Sequence, residues 1–100
     1  EGLDVIMPRA KMIEKLESKR HTTYIWATKD GLVSVDDRII HINDLAGLMY
    51  NKVAKDPKVT VSLKSDKKTT MKLITNIHTQ LRKANALKLS YSALTKNPGS

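Results

Sequence analysis

The sequence is poor in several residue types. Its 100 residues include no cysteine, no phenylalanine, three prolines and four glycines. The absence of cysteine excludes disulfides, thiol catalysis and thiolate metal sites. No run of about 18 apolar residues occurs, so no segment is predicted to span a bilayer, and no signal peptide is visible. Neither G-x-x-x-x-G-K-[ST] nor G-x-G-x-x-G is present, which excludes these two phosphate-binding loops.

The residues that carry chemistry in many enzymes are scattered. None of the three histidines, His21, His41 and His78, lies four residues from another, so their spacing does not predict a metal site. The aspartates Asp30, Asp36 and Asp37 fall in predicted turns, where aspartate is favoured for backbone reasons alone. We therefore expect a non-enzymatic protein with no catalytic residue, no metal and no cofactor.

The composition indicates one folded domain with an uneven charge. Hydrophobic residues make up 40% of the chain, and the net charge is +8. From Lys52 onward there are 11 basic residues against two acidic ones, whereas the preceding part has seven against eight. This asymmetry indicates either a polyanionic partner or a solubilising surface, and the sequence leaves both open.

The first half of the domain reads as three strands. The stretch 21–28 is rich in β-branched and aromatic residues and predicts a strand. Asp30-Gly31 is typical of a hairpin turn, and residues 32–35 form the predicted return strand. Asp36-Asp37 predicts a second tight turn before a third strand over 38–42.

The second half alternates helices and strands. Asn43 is a predicted N-cap for a helix that ends at about Lys55 before Asp56-Pro57, and a strand over 58–64 follows. Thr69 or Thr70 is expected to cap a second helix, and Asn85 to end it in the left-handed conformation. A last strand is predicted over 87–95. The expected core face of the second helix consists of Met71, Ile74, Ile77, Leu81 and Ala84.

The predicted order is thus β-β-β-α-β-α-β. Because the strands are only half apolar, we expect an α+β two-layer sandwich, with one mixed sheet of about four to five strands and two helices on one face. Residues 1–20 read as a flexible leader, although a helix over 11–20 is an alternative. Residues 21–96 form the domain, and residues 97–100 read as a disordered tail.

Three stretches together resemble the periplasmic domain of the ExbD/TolR family. They are the strand and loop 59–67, the helix end and last strand 84–90, and the Pro-containing leader 3–10. In that family a strand ends in an Ala-Asp-Lys-like signature and the following helix ends in Ala-Gly. Here Ser65 replaces the alanine, Asn85 replaces the glycine, and the second helix lacks the Pro-Tyr-like opening. These differences leave three alternatives open: an ExbD-like branch, a TolR-like branch or a more distant paralogue.

The resemblance implies a function that the residues alone do not. Members are anchored in the inner membrane by a preceding N-terminal helix, sit in an ExbB/TolQ-like channel, and couple proton motive force to a TonB/TolA-like partner. Their periplasmic domains form homodimers, and TolR-like members can contact peptidoglycan. The resemblance therefore implies a periplasmic accessory domain for outer-membrane transport or integrity.

A one-sided sheet suggests where such contacts occur, because an edge strand has free backbone groups that accept another strand. We expect dimer or partner contacts at two edge segments, the last strand and the leader. Leu89 also reads as a core residue, which the pattern favours. Asp66 reads as a hydrogen-bond acceptor at the entry of the second helix or within the loop, rather than as a catalytic residue. The candidate interface residues are Leu87, Leu89, Tyr91, Ala93, Val5, Met7 and Pro8. The motif loop consists of Lys64, Ser65, Asp66 and Lys67.

The alternative is a basic module that binds nucleic acid. The cations Lys64, Lys67, Lys68 and Lys72 would contact phosphates. Tyr24, Trp26 and Tyr91 are the candidate stacking platforms, since sequence-tolerant RNA and DNA binding needs exposed aromatic rings. Tyr24 and Trp26 lie on one face of the first predicted strand, but such a pair more often belongs to a core.

Overall fold

The computed structural model describes residues 6–94, which form an α+β fold with one five-stranded mixed sheet. Val5 and the predicted tail 97–100 lie outside the described residues. The elements in chain order are α1 (Arg9–Arg20), β1 (Thr22–Ala27), β2 (Val33–Val35), β3 (Arg38–Ile40), a 3₁₀ turn (Ile42–Asp44), α2 (Leu45–Lys55), β4 (Thr60–Ser65), α3 (Met71–Lys83) and β5 (Leu89–Ala93).

The sheet has the strand order β3-β2-β1-β4-β5. β1, β2 and β3 form an antiparallel meander, in which Ile25 lies opposite Val35. β1, β4 and β5 are parallel, with Ile25 beside Leu63 and Leu63 beside Tyr91. The predicted strand–helix–strand crossover over the second half is therefore confirmed, since a parallel pair needs a long connection.

The core lies between the sheet and the two helices α2 and α3. Alternate residues of β1 and β4 point toward the helices, and Ile25 and Leu63 are completely covered. The helices contribute Leu45 and Met49 from α2 and Ile77 from α3, all of which are also inaccessible. The opposite face of the sheet carries no helix of this pair, so the predicted two-layer sandwich is confirmed.

The tight turns follow from residues that tolerate positive φ. Gly31 has φ +88° in the β1–β2 hairpin, and Asp36 and Asp37 have φ +47° and +70° between β2 and β3. Asn85 has φ +59°, which confirms its predicted place at the end of α3. Asparagine and aspartate are the non-glycine residues that most often adopt this region.

Two details of the predicted helices are wrong. Asn43 lies inside the 3₁₀ turn rather than capping α2, and its N–H is 3.4 Å from the His41 Nδ1 acceptor. Met71 is 72% exposed because it is the first residue of α3. Thr69, two residues before Met71, contacts the sheet instead. Its hydroxyl donates to the Ala27 carbonyl at the end of β1 at 3.2 Å. Thr70 is the N-cap, accepting from the Leu73 N–H at 3.2 Å.

The chain begins with an element absent from the predicted order. Residues 9–20 form the helix α1. The sequence pattern favours a flexible leader in this stretch and offers a helix over 11–20 only as the alternative. None of the residues of α1 is buried. Among the described residues, no helix is both long and apolar enough to cross a membrane.

Candidate functional site

The outer edge of β5 is a free edge of the sheet. β5 pairs in parallel with β4, and Leu89, Tyr91 and Ala93 lie beside Val61, Leu63 and Ser65. Within residues 6–94 no strand pairs with the other side of β5. Its outward N–H and C=O groups are therefore placed to accept an added strand.

The apolar side chains along this edge are partly exposed. Leu87, just before β5, is 65% exposed, Leu89 is 37% exposed and Tyr91 is 43% exposed. Leu89 and Tyr91 point to the same side of the sheet as the covered residues Val61 and Leu63. The interpretation of Leu89 as a core residue is wrong, because β5 lies at the margin where the helices do not cover it fully.

Tyr91 is fixed to the domain at two points. Its hydroxyl lies 3.1 Å from the Ser65 Oγ on β4, and Ser65 is buried. Its ring meets the His78 ring of α3 edge to face, with centroids 6.0 Å apart and an interplanar angle of 81°. Tyr91 therefore presents a rigid aromatic surface, which loses little conformational entropy when a partner binds.

A shallow groove of about 170 Å³ runs between α3 and the start of β5. Leu81 and Ala86 form its apolar floor, and Arg82 adds a positive charge. The Nε2 atom of His78 is buried without a hydrogen-bond partner. The groove is lined by His78, Leu81, Arg82, Ala86, Leu87 and Leu89. It offers apolar contacts beside the free backbone edge, as strand-accepting surfaces do.

Two residues of the motif loop, Ser65 and Asp66, are buried and have a structural role. Asp66 is buried, its N–H donates to the Ala27 carbonyl at 3.1 Å, and its Oδ2 accepts from the Lys29 N–H at 3.1 Å. These bonds tie the end of β4 to the turn after β1. They confirm the interpretation of Asp66 as a loop acceptor. Lys64 and Lys67 are exposed.

The leader residues lie elsewhere in the fold. Met7 is half-buried and exposed Pro8 precedes α1. Both line a groove whose strand side consists of Thr22 and Tyr24 of β1. The structure therefore does not bring Met7 and Pro8 together with the β5 edge, from which β1 is separated by β4.

A second polar cluster joins α1 to the rest of the domain. The His21 Nδ1 lies 2.6 Å from the Asp56 Oδ2, and the His21 Nε2 lies 3.9 Å from a Glu17 carboxylate oxygen. The hydrogen bond from His21, aided by the Lys58 N–H, lowers the pKa of Asp56 below its ordinary value. His21 and Asp56 are 35 residues apart, and no local sequence signal predicted their contact.

The face of the sheet opposite α2 and α3, which we call the open face, carries the two aromatic residues considered for stacking. Tyr24 is 44% exposed and Trp26 is half-buried. They line a cleft of about 350 Å³ together with Ser34, Asp36, Asp37, Ser62 and Lys64. Asp36 is bound there, since it accepts from the Tyr24 N–H at 3.0 Å and from Lys52 Nζ at 3.2 Å. The cleft thus combines aromatic surface with both signs of charge.

Among the residues that the structure describes, no three histidine, aspartate or glutamate side chains are arranged so that they could hold a metal ion. The chain matches no protein-family model and no curated protein sequence.

Proposed function

We propose that this chain is the periplasmic domain of an ExbD/TolR-like accessory protein of the inner membrane. In this role it couples proton motive force, through an ExbB/TolQ-like channel, to a TonB/TolA-like partner that acts on the outer membrane. The domain itself is non-enzymatic and works as a homodimer, with peptidoglycan as a further contact. The resemblance of residues 3–10, 59–67 and 84–90 to the family's motifs supports this assignment.

The observation that carries the proposal is the free β5 edge. Its backbone is unpaired within the described residues, and Leu87, Leu89 and Tyr91 expose apolar surface alongside it. Strand addition at such an edge combines main-chain hydrogen bonds with side-chain contacts in the neighbouring groove. Association by strand addition needs neither a cofactor nor a catalytic group.

The test is a matched pair of tyrosine substitutions. Tyr91→Asp places a charge on the β5 edge, whereas Tyr50→Asp makes the same change on the outer side of α2, where Tyr50 is 64% exposed. We expect sedimentation equilibrium to show weaker self-association for Tyr91→Asp, by at least about tenfold in Kd. Tyr50→Asp should behave like the parent chain.

Titration with TonB/TolA-like peptides in the same buffers tests the second partner. A Tyr91→Asp chain that associates and binds these peptides as tightly as the parent would refute a role for the β5 edge.

One observation favours nucleic-acid binding as a second candidate. Tyr24 and Trp26 share the open face of the sheet with Lys64, as a stacking platform requires. Under this alternative, random oligonucleotides bind with a steep salt dependence, and Tyr24→Ala weakens binding by about 1 to 3 kcal/mol. Filter binding at two salt concentrations, beside the peptide titration, separates the two candidates.

A further inference from the structure

Helix α1 turns its polar side toward the domain. The groove between α1 and β1 is bounded on the strand side by Thr22 and Tyr24. On the helix side it is lined by Lys11, Glu14, Lys15, Ser18 and Lys19. A helix that rests on a globular domain normally turns its apolar stripe inward, so the orientation of α1 is the reverse of the usual one.

The apolar residues of α1 lie on the side of the helix away from β1, where Met12 and Leu16 line a second groove with Ile6 and Met7. At 3.6 residues per turn, Met12, Ile13 and Leu16 share one side of the helix, opposite Ser18. Their exposed fractions are 48%, 56% and 60%. We call these three residues the outward strip. Ile6, which is 95% exposed, precedes the helix and adds further apolar surface.

The charges on α1 are divided between the same two sides. By helical geometry the cations Arg9 and Arg20 lie on the half that bears the outward strip, and Glu14 lies on the other half. Lys19 and Glu17 lie near the two borders between these halves, and Lys19 lines the groove on the domain side. Arg20 reaches back to Glu17 at 3.3 Å. The outward half thus combines apolar side chains with two arginines, and the one acid at its border, Glu17, is paired with Arg20.

We propose that the outward half of α1 binds the surface of an anionic lipid bilayer. Met12, Ile13 and Leu16 enter the boundary between headgroups and acyl chains, and Arg9 and Arg20 contact lipid phosphates. This inference does not depend on the proposed function. A second copy of the same half-helix is a poorer occupant, because pairing two such faces would bring like charges together.

The contacts at the end of α1 give lipid binding a structural consequence. The Thr22 hydroxyl donates to the Ser18 carbonyl at 2.8 Å, and the His21 ring is bound to Asp56 at 2.6 Å. These bonds join the last turn of α1 to β1 and to the end of α2. A bilayer that holds α1 in its surface would therefore also orient the attached sheet.

The test uses vesicle co-sedimentation with the full 100-residue chain. Phosphatidylcholine vesicles are compared with vesicles that contain about 30% phosphatidylglycerol, at an ionic strength of about 0.1 M. We expect binding to the anionic vesicles and little binding to the neutral ones. Circular dichroism of each variant checks that the domain stays folded.

Two glutamate substitutions separate the sides of the helix. Leu16→Glu places an acid in the outward strip and should weaken binding about tenfold or more. Ser18→Glu adds the same charge on the opposite side, about one helix diameter farther from the lipid. Because that distance is close to a Debye length, its effect should be about two- to threefold.

A second pair of variants removes cations. Arg9→Gln with Arg20→Gln, on the outward half, should weaken binding about tenfold. Lys11→Gln with Lys15→Gln, on the domain side, should weaken binding only about threefold. Equal losses for the two sides, or no preference for phosphatidylglycerol in the parent chain, would overturn the proposal. Self-association that Leu16→Glu abolishes, without vesicle binding by the parent, would assign the strip to a second copy and overturn it equally.

Discussion

The His21 Nδ1 lies 2.6 Å from the Asp56 Oδ2, which joins the residue after α1 to the residue after α2. The same histidine carbonyl accepts from the Thr60 N–H at 2.9 Å, where β4 begins. The end of α1 thus meets both the end of α2 and the start of β4 at one residue, through its side chain and its carbonyl respectively. The orientation of α1 relative to the sheet depends on this contact.

The first prediction concerns acid stability. Because the hydrogen bond from His21 lowers the folded-state pKa of Asp56, the stabilisation is fully present above the unfolded-state value of about 3.9. It is lost as the pH falls through the folded-state pKa. The difference in unfolding free energy between the parent and Asp56→Asn should therefore shrink below about pH 5. Urea unfolding from about pH 7 to pH 3 measures it.

The His21→Gln background provides the control for that prediction. Without the imidazole the main cause of the shift is gone, so Asp56→Asn should show a weaker pH dependence there. The same pH dependence in both backgrounds would mean that His21 is not the cause.

The second prediction concerns the bond between Ser65 and Tyr91, 3.1 Å apart. Tyr91→Phe should lower the unfolding free energy by about 0.5 to 1 kcal/mol, a modest loss because the ring is partly exposed. Tyr50→Phe on α2 is the matched control and should change it by less than about 0.5 kcal/mol. Denaturant unfolding of both variants measures the two losses.

A double-mutant cycle with Ser65→Ala then isolates the Ser65–Tyr91 interaction. We expect the two substitutions to be non-additive, because each removes the same bond. Strict additivity would show that the two hydroxyls do not interact.

The third prediction concerns the core under the helices. Leu63 is fully buried in β4, so Leu63→Ala should cost about 2 to 5 kcal/mol through lost contacts and a residual cavity. Ile39, on β3, is 70% exposed, and Ile39→Ala should cost less than about 0.5 kcal/mol. Chemical denaturation of the two variants makes the comparison. Similar losses would contradict the assignment of the two faces of the sheet.

The fourth prediction concerns the end of α3. Because Asn85 has φ +59°, Asn85→Gly should leave the unfolding free energy unchanged or raise it slightly. Asn85→Val should lower it by about 1 to 2 kcal/mol, since a β-branched residue is strained in this conformation. Thermal unfolding of both variants is the measurement. A valine variant as stable as the parent would exclude a backbone requirement at this position.

Much of the fold was predictable because its signals are local. The β-branched and aromatic content located β1, the alternation of apolar residues located β4, and helical spacing located α3 with its buried residues Ile74 and Ile77. Asp30-Gly31 and Asn85 marked turns that need positive φ. In each case the side chains within a few residues are enough to determine the backbone conformation.

The errors arose where distant residues decide the outcome. Met71 fits the helical spacing of its neighbours, yet it lies at the end of α3, where Thr69 reaches Ala27 instead. Leu89 alternates like a core residue, yet its strand is at the margin of the sheet. Neither the edge position of a strand nor the coverage of a helix end is encoded in local periodicity.

The sequence by itself determined the alternation of strands and helices, the turns and the face of each strand that is buried, because these follow from backbone preference and side-chain period. Only the tertiary structure decided that the helices leave Leu89 of β5 partly uncovered, that Ser65 binds Tyr91 and that α1 turns its apolar residues away from β1. These features depend on contacts between segments separated by tens of residues. Such contacts form, and contribute to stability, only when the chain has folded.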